Sequence, residues 1–338
     1  MRLLFLGTSK GTSGQRANAL RRLGHDVTIV NPFRVISKTP LIGPWQRYLG
    51  SVGLASLARA YVLQAVSGQT FDLVWVDGGA LVSRRLVNDL RKSAGKVINH
   101  NVDDPFGRRD ANLWLQYLRA VCAYDLIVVV REENVEEAYQ LHAKKVLHVF
   151  RSADEVAHAP RILAGEEKAR WASQVLFVGT GFPDRGPFLV NLIRQGVPVS
   201  IYGGLWQSLK QWKELQPYWR GGGLEDAYSY STAILAAKVC LGLLSKENRD
   251  LHTTRSMEIP SLGGVFCAQR TREHVALYNE DEEAVFWSSP EECASKCIAL
   301  LSDDSWRQSI AHNGHERYLK NGWTNMHVAE TVLKAAFE

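Results

Sequence analysis

The chain has 338 residues, 46% of them hydrophobic, enough for two domains that each bury a core of their own. No apolar run reaches the length of a membrane span, and residues 1–7 read as a short strand rather than the apolar segment of a secretion signal. The formal net charge is +5, divided unevenly: residues 1–165 hold 22 basic and 14 acidic side chains, the remainder 18 and 21, so +8 stands against −3.

Residues 1–150 alternate strand and helix. Strands are expected at 2–7, 26–31, 73–78, 96–101, 126–131 and 145–150, as short apolar runs suited to burial on both faces. Helical patterns lie between them, for example 14–23 and 82–93, each stopped by a glycine. This alternation predicts an open, mostly parallel, doubly wound sheet whose ligands sit beyond the carboxyl ends of the strands.

The loop after the first strand, Gly7-Thr8-Ser9-Lys10-Gly11-Thr12-Ser13-Gly14, is neither a dinucleotide fingerprint nor a Walker A loop. The second strand ends at Asn31-Pro32, without the acidic residue a dinucleotide fold uses for ribose. NAD and ATP are therefore poor candidates. Thr8, Ser9 and Lys10 remain candidates to face an acceptor, because small residues let a ligand approach the backbone.

Residues 32–70 break the alternation with several Pro and Gly and a long apolar stretch from 54 to 66. Residues 31–70 contain Arg34, Lys38, Arg47 and Arg59 and no acid. A basic, acid-free insertion suits an anionic partner: nucleic acid, a phosphorylated carrier or a membrane surface. Asn99-His100-Asn101-Val102-Asp103-Asp104-Pro105 follows at the carboxyl end of a strand. Asp103, Asp104 and His100 are candidates for a base or for orienting a hydroxyl, and adjacent acids are not an Asp-x-Asp metal pattern.

A polar stretch, 151–174, reads as the linker to a second alternating unit. A strand at 174–179 leads into Gly179-Thr180-Gly181-Phe182-Pro183-Asp184-Arg185, in which Arg185 is a phosphate candidate. A strand at 199–202 leads into Tyr202-Gly203-Gly204-Leu205-Trp206. Residues 239–244 are a buried strand, followed by a loop with Lys246, Asn248 and Asp250. Thr253 and Thr254 are N-cap candidates for a short helix carrying Arg255 and Glu258, and Gly263-Gly264 ends that helix. A cation, a carboxylate and helix-terminal amides at one sheet edge suit a sugar nucleotide: phosphate on Arg255 and the amides, ribose hydroxyls on Glu258. Three helices, at 291–301, 306–318 and 328–337, close the chain.

Ten tryptophans are many for this length, and some are expected to line a cleft. The five cysteines, at 122, 240, 267, 293 and 297, lack zinc spacing and read as reduced structural residues of a cytosolic protein.

The second half resembles the spore-maturation CgeB-like glycosyltransferases, a group within the GT-B class. The residues that carry the resemblance are Arg255-Ser256-Met257-Glu258 with Gly263-Gly264, then Glu273-His274, the run at 286–292, and the closing region 307–318 with Trp323. Tyr202-Gly203-Gly204-Leu205-Trp206 and Asp103-Asp104-Pro105 are similar upstream. The resemblance spans about residues 96–335. It implies two Rossmann-like domains facing across a cleft, 1–165 on the acceptor side and 166–320 on the nucleotide-sugar side, with a final segment, 321–338, crossing back to the first. It also implies a metal-independent, retaining transfer from a nucleotide-diphosphate sugar, most simply a UDP-sugar, with no cofactor. In such transferases a Glu-x7-Glu pair holds sugar and ribose. Here Glu258 takes the second place and Asp250 the first. The implied donor set is Gly181, Arg185, Tyr202, Gly203, Lys246, Asp250, Thr253, Thr254, Arg255, Glu258 and Gly263. Asp103, Asp104 and Arg255 are the catalytic candidates. Thr8, Ser9, Lys10, His100, Arg34 and Arg47 are the acceptor-side candidates, facing DNA or a phosphate-linked glycan. The alternatives are a GT-B-like protein that binds a sugar nucleotide without turnover, and a nucleic-acid-associated protein.

Overall fold

The computed structural model describes residues 1–36 and 42–338. Lys38 lies outside the described residues. The chain divides into two compact units. The first comprises Met1–Arg151, Ser245–Asp250 and Thr324–Glu338, and the second Ser152–Leu244 and Leu251–Trp323.

The first unit is built on six parallel strands: β1 (Arg2–Leu6), β2 (Asp26–Val30), β3 (Phe71–Asp77), β4 (Ala94–Asn101), β5 (Leu126–Val129) and β6 (Val146–His148). Their spatial order is β2-β1-β3-β4-β5-β6. Side chains alternate across the sheet, so each strand feeds two cores. Leu4, Leu6, Val74, Val76, Val97, Ile127 and Val129 enter one. Leu3, Phe5, Leu73, Trp75, Ile98, Leu126 and Val128 enter the other. The second core is closed by Ala17 and Leu20 of helix Gly11–Arg22, and by Val328, Ala329, Val332, Leu333 and Ala336 of helix Asn325–Phe337. The last helix packs on the first unit's sheet, as a structural cover for strands laid down roughly 200 to 320 residues earlier.

Six more parallel strands form the second unit: β7 (Ser173–Val178), β8 (Val199–Tyr202), β9 (Trp219–Gly221), β10 (Ala237–Gly242), β11 (Phe266–Gln269) and β12 (Val285–Trp287), in the order β12-β11-β10-β7-β8-β9. Helices Arg185–Arg194, Pro290–Ser302 and Asp304–Asn321 cover one face through Leu189, Leu192, Cys293, Cys297, Leu300 and Ile310. Both sheets are therefore doubly wound, as expected. Two details differ from the sequence reading. Strand β9 has only three residues and no alternation to reveal it. The units also divide at Arg151–Ser152 rather than near residue 165, and the short segment Ser245–Asp250 returns to the first unit.

Each sheet has a switch point where the winding reverses, between β1 and β3 in the first and between β7 and β10 in the second. Crevices form there, because the connections leave in opposite directions. At the second switch point, three glycine turns pack backbone on backbone. The Gly203 φ is +148°, and a Cβ there would lie 1.9 Å from the Gly179 carbonyl oxygen. Gly203→Ala should therefore lower the melting temperature of the second unit, by more than about 2 kcal/mol of stability, in a calorimetric scan.

Candidate functional site

The first unit contains a cavity of about 440 Å³ at its switch point. Its walls come from the carboxyl ends of β1 to β4: Gly7 and Thr8, Pro32 and Phe33, Asp77 and Gly78, Val102 and Asp103, with Gln46 and Trp114 beside them. Arg16 pairs across it with Asp77 in a two-pronged contact, at 2.8 and 2.9 Å. Burial alone would raise the Asp77 carboxyl, but the Arg16 guanidinium holds it below the usual carboxylate range. The pair is close to neutral as a unit, which leaves the charge of the cavity lining to Asp103. Sequence reasoning missed both residues, because they lie 61 positions apart and belong to no motif.

The acceptor-side candidates fare differently. Thr8 lines the cavity. Its hydroxyl donates to the Lys10 carbonyl at 2.9 Å, and Ser9 and Lys10 are exposed on the same turn. Asp103 lines the cavity with a side chain 46% exposed, and Arg109 stands 4.0 Å away. Asp104 is not available as a base. It is buried, and it accepts from Arg249 at 2.5 and 2.7 Å and from Asn134 at 3.0 Å. Burial would raise its carboxyl, and those donors outweigh it. His100 is buried too, edge-on to Trp75 at 5.6 Å, with no hydrogen-bond partner for either ring nitrogen. It serves the core rather than the acceptor. Arg34 and Arg47 are exposed. Arg59 pairs with Asp89 at 2.6 Å and leaves the basic group that the sequence suggested.

Asp250 also has a structural task. Its carboxylate accepts from Arg131, from Arg151 at 3.3 Å and from Asn248 at 3.0 Å, and its side chain is only 7% exposed. It therefore holds the 245–250 segment within the first unit, where Lys246 is exposed on a short turn.

In the second unit the glycine turns and the helix Arg255–Ser261 meet at the switch point. Gly181 and Gly203 allow the turns to touch: the Gly181 amide donates to the Gly204 carbonyl, and Trp206 Nε1 donates to the Gly179 carbonyl, both at 2.9 Å. Tyr202 is half-buried beside Trp171, and burial pushes its phenol upward. Arg185 is a strap rather than an exposed phosphate ligand. It is buried, it donates to the carbonyls of Thr180, Leu243 and Leu244, and it lies over the Phe182 ring at 4.6 Å. That ties the β7 turn to the β10 turn across the switch point. Arg255 is half-buried and donates from Nε to the Val178 carbonyl at 2.7 Å, which fixes its guanidinium at the end of β7.

Glu258, one turn further on, is buried. One oxygen accepts from the Tyr230 hydroxyl at 2.6 Å, and the other faces His158 Nε2 at 3.8 Å. His158 Nδ1 accepts from the Asp154 amide, so the ring proton of the neutral form lies on Nε2, toward Glu258. Burial, then the Glu258 charge, push the Tyr230 phenol well up, so it remains a donor. Tyr230 and His158 lie in segments that carried no motif. Thr253 and Thr254 stand at the helix start, but their side chains form no cap bond; the Ser256 hydroxyl accepts from the Thr253 amide at 3.0 Å instead. Gly263, at φ +72°, stops the helix.

Among the described residues, Cys267, Cys293 and Cys297 are the group of three that is close enough to hold a metal ion. All are fully buried in the apolar core of the second unit, and all five cysteines are free thiols.

Two doubly wound parallel sheets, each with a switch point in its strand order, define a protein of the GT-B glycosyltransferase fold. Residues 185–334 match the family model described as glycosyl transferase-like, which is less than half of the chain. The solved structures that it resembles include sucrose-phosphate synthase from Thermosynechococcus elongatus, with a TM-score of 0.70, 13% identity and coverage of 99% of this chain and 98% of that one. Anabaena HepE in complex with UDP and glucose follows, with a TM-score of 0.66, 12% identity and 99% coverage of both chains. A trehalose-6-phosphate synthase studied with bisubstrate glycomimetics matches with a TM-score of 0.64, 12% identity and 99% coverage of both. A search of curated protein sequences finds no match. Most of the residues matched by that family model lie in the second unit. No helix among the described residues is long and apolar enough to cross a membrane.

His100 makes the first unit acid-sensitive. Burial first, then the nearby Arg16 charge, lower its pKa from 6.5 to about 3. An unfolded chain binds this proton near pH 6.5 and the folded one refuses it until about pH 3. The stability from the neutral ring is therefore complete above pH 6.5 and is lost as pH falls through that window. His100→Phe should flatten the acid limb of stability against pH, by up to roughly 1.4 kcal/mol per pH unit, in urea titrations at successive pH values.

Proposed function

We propose that the protein is a metal-independent, CgeB-like glycosyltransferase that moves a sugar from a UDP-sugar to an acceptor hydroxyl. The observation that carries this reading is the pairing of Arg255 and Glu258 on one short helix, at the switch point of a sheet whose turns are bare backbone. A diphosphate needs cations and N–H donors, and half-buried Arg255 is held at the strand end through its Nε. A ribose diol needs a fixed carboxylate. Tyr230 fixes one oxygen of Glu258 at 2.6 Å. UDP is the preferred nucleotide because UDP or a UDP-sugar is named in several of the similar structures.

In the reaction the bond between the sugar's anomeric carbon and the diphosphate oxygen breaks, and a bond from that carbon to the acceptor oxygen forms. The electron pair leaves with UDP, and Arg255 stabilises the charge. The acceptor hydroxyl gives its proton to Asp103, an exposed carboxylate in the lining of the first unit's cavity, or to the departing phosphate. Retention of configuration follows the trehalose-6-phosphate synthase described above, whose study concerns transfer with retention. The free cysteines suit a reducing cytosol. Acceptor binding belongs to the cavity of the first unit. Because Arg16 and Asp77 neutralise each other there, an anionic acceptor would meet Arg34 and Arg47 at the surface rather than the cavity floor.

Glu258→Gln keeps a partner for Tyr230 and removes the charge. It should weaken UDP binding by about 2–4 kcal/mol by calorimetry, with an unchanged melting temperature. Arg255→Ala should cost UDP far more than uridine. Equal losses for UDP and uridine, or a Glu258→Gln protein with wild-type UDP affinity, would remove the helix from the donor site. Slow hydrolysis of a UDP-sugar, absent in Arg255→Ala, separates a transferase from a non-catalytic binder.

A further inference from the structure

The helix Ile42–Leu49 has no buried residue, although it carries Ile, Trp, Tyr and Leu. Ile42 is half-buried against the small core of Ile36, Leu54, Ala58 and Leu81. The other apolar side chains are different. Trp45, Tyr48 and Leu49 fall at the i, i+3, i+4 spacing that normally marks a core-facing stripe, and Val52 follows in the turn after the helix, yet they are 41, 70, 57 and 53% exposed. Phe33 and Val35, on the neighbouring turn Pro32–Val35, are exposed as well. An apolar patch of this composition left in water marks an interaction surface.

Its electrostatics select the partner. Residues 31–70 hold no Asp or Glu, and Arg34 and Arg47 are exposed beside the stripe. Trp and Tyr with Leu and Val, bordered by arginines, form the composition that rests in the headgroup layer of a bilayer: rings at the interface, aliphatic groups below, cations on anionic lipid. Nucleic acid would use the arginines and leave the aliphatic groups wet. A second copy of this surface would bring arginine against arginine. We propose that this surface seats the first unit on an anionic lipid bilayer. Phe33 and Gln46 also line the acceptor cavity, so seating places the cavity mouth at headgroup level, and the acceptor is a hydroxyl carried on the membrane. This last step rests on the cavity being the acceptor site.

The test is co-sedimentation of the full chain with vesicles of phosphatidylcholine alone, or of phosphatidylcholine mixed with phosphatidylglycerol. Wild-type protein should pellet with the mixed vesicles and much less with the neutral ones. Trp45→Ser, Tyr48→Ser and Leu49→Ser combined should lower that affinity at least about tenfold, without changing the melting temperature or UDP affinity. Arg34→Gln and Arg47→Gln should each cost about fivefold and flatten the salt dependence. A measurement that does not rely on a folded triple variant uses brominated phosphatidylcholine in the mixed vesicles. It should quench tryptophan emission, and Trp45→Phe should remove most of the quenching. The proposal is overturned if wild-type protein ignores both vesicles, if the triple variant binds them equally, if DNA and not the vesicles retains the protein, or if the stripe proves to be a dimer contact that excludes vesicles. UDP affinity, measured on the same samples, is read independently. Its absence would remove the donor reading and leave vesicle binding standing.

Discussion

The reciprocal ion pairing of residues 245–250 is the constraint around which the first unit is arranged. Arg249 reaches Asp104 and Glu137, while Asp250 receives Arg131 and Arg151. The carboxylates of Asp104 and Asp250 are 1 and 7% exposed, and the Arg131 side chain 3%. Ions so deeply removed from water are expensive alone and tolerable only in company; deleting one member of such a pair costs about 3–5 kcal/mol. A segment of six residues is thereby fixed without a hydrophobic anchor of its own. The same economy withdraws Asp104 and Asp250 from chemistry.

The two switch points show how one architecture can prepare different sites. In the first sheet an arginine faces an aspartate across an open cavity, so that a charged pair presents polar atoms with little net field. In the second, Arg185 is spent on three backbone carbonyls, which ties the turns together, and Arg255 is held at the end of β7 through its Nε. The first arrangement suits hydroxyl groups. The second suits a charged ligand that approaches bare backbone.

Much of the fold was legible in the sequence. Strands buried on both sides announce themselves as runs such as Arg2–Leu6 and Leu126–Val129, and glycines mark the helix ends. Arg255 and Glu258 were legible for the same local reason: one helical turn places them together whatever the rest of the chain does. The misreadings share a cause. Asp104, Asp250 and Arg185 stand in loops where a site residue belongs, and only distant partners reveal their work, Arg249 being 145 positions from Asp104. His158 and Tyr230, conversely, gain their meaning solely from meeting Glu258. Periodicity reports which face of an element is apolar, but not what covers it. Trp45, Tyr48 and Leu49 carry the spacing of a buried face and are exposed.

The cover supplied by helix Asn325–Phe337 has a consequence for biogenesis. During synthesis, β1, β3, β4 and β5 emerge early, yet the face formed by Leu3, Phe5, Trp75, Ile98 and Val128 cannot be closed until residues 325–337 have left the ribosome. The second unit, whose sheet and covering helices lie within one largely continuous stretch, is free to fold in the meantime. For most of its translation the first unit is therefore a half-covered sheet, the kind of intermediate that chaperones hold, and its completion is timed by the last element to arrive.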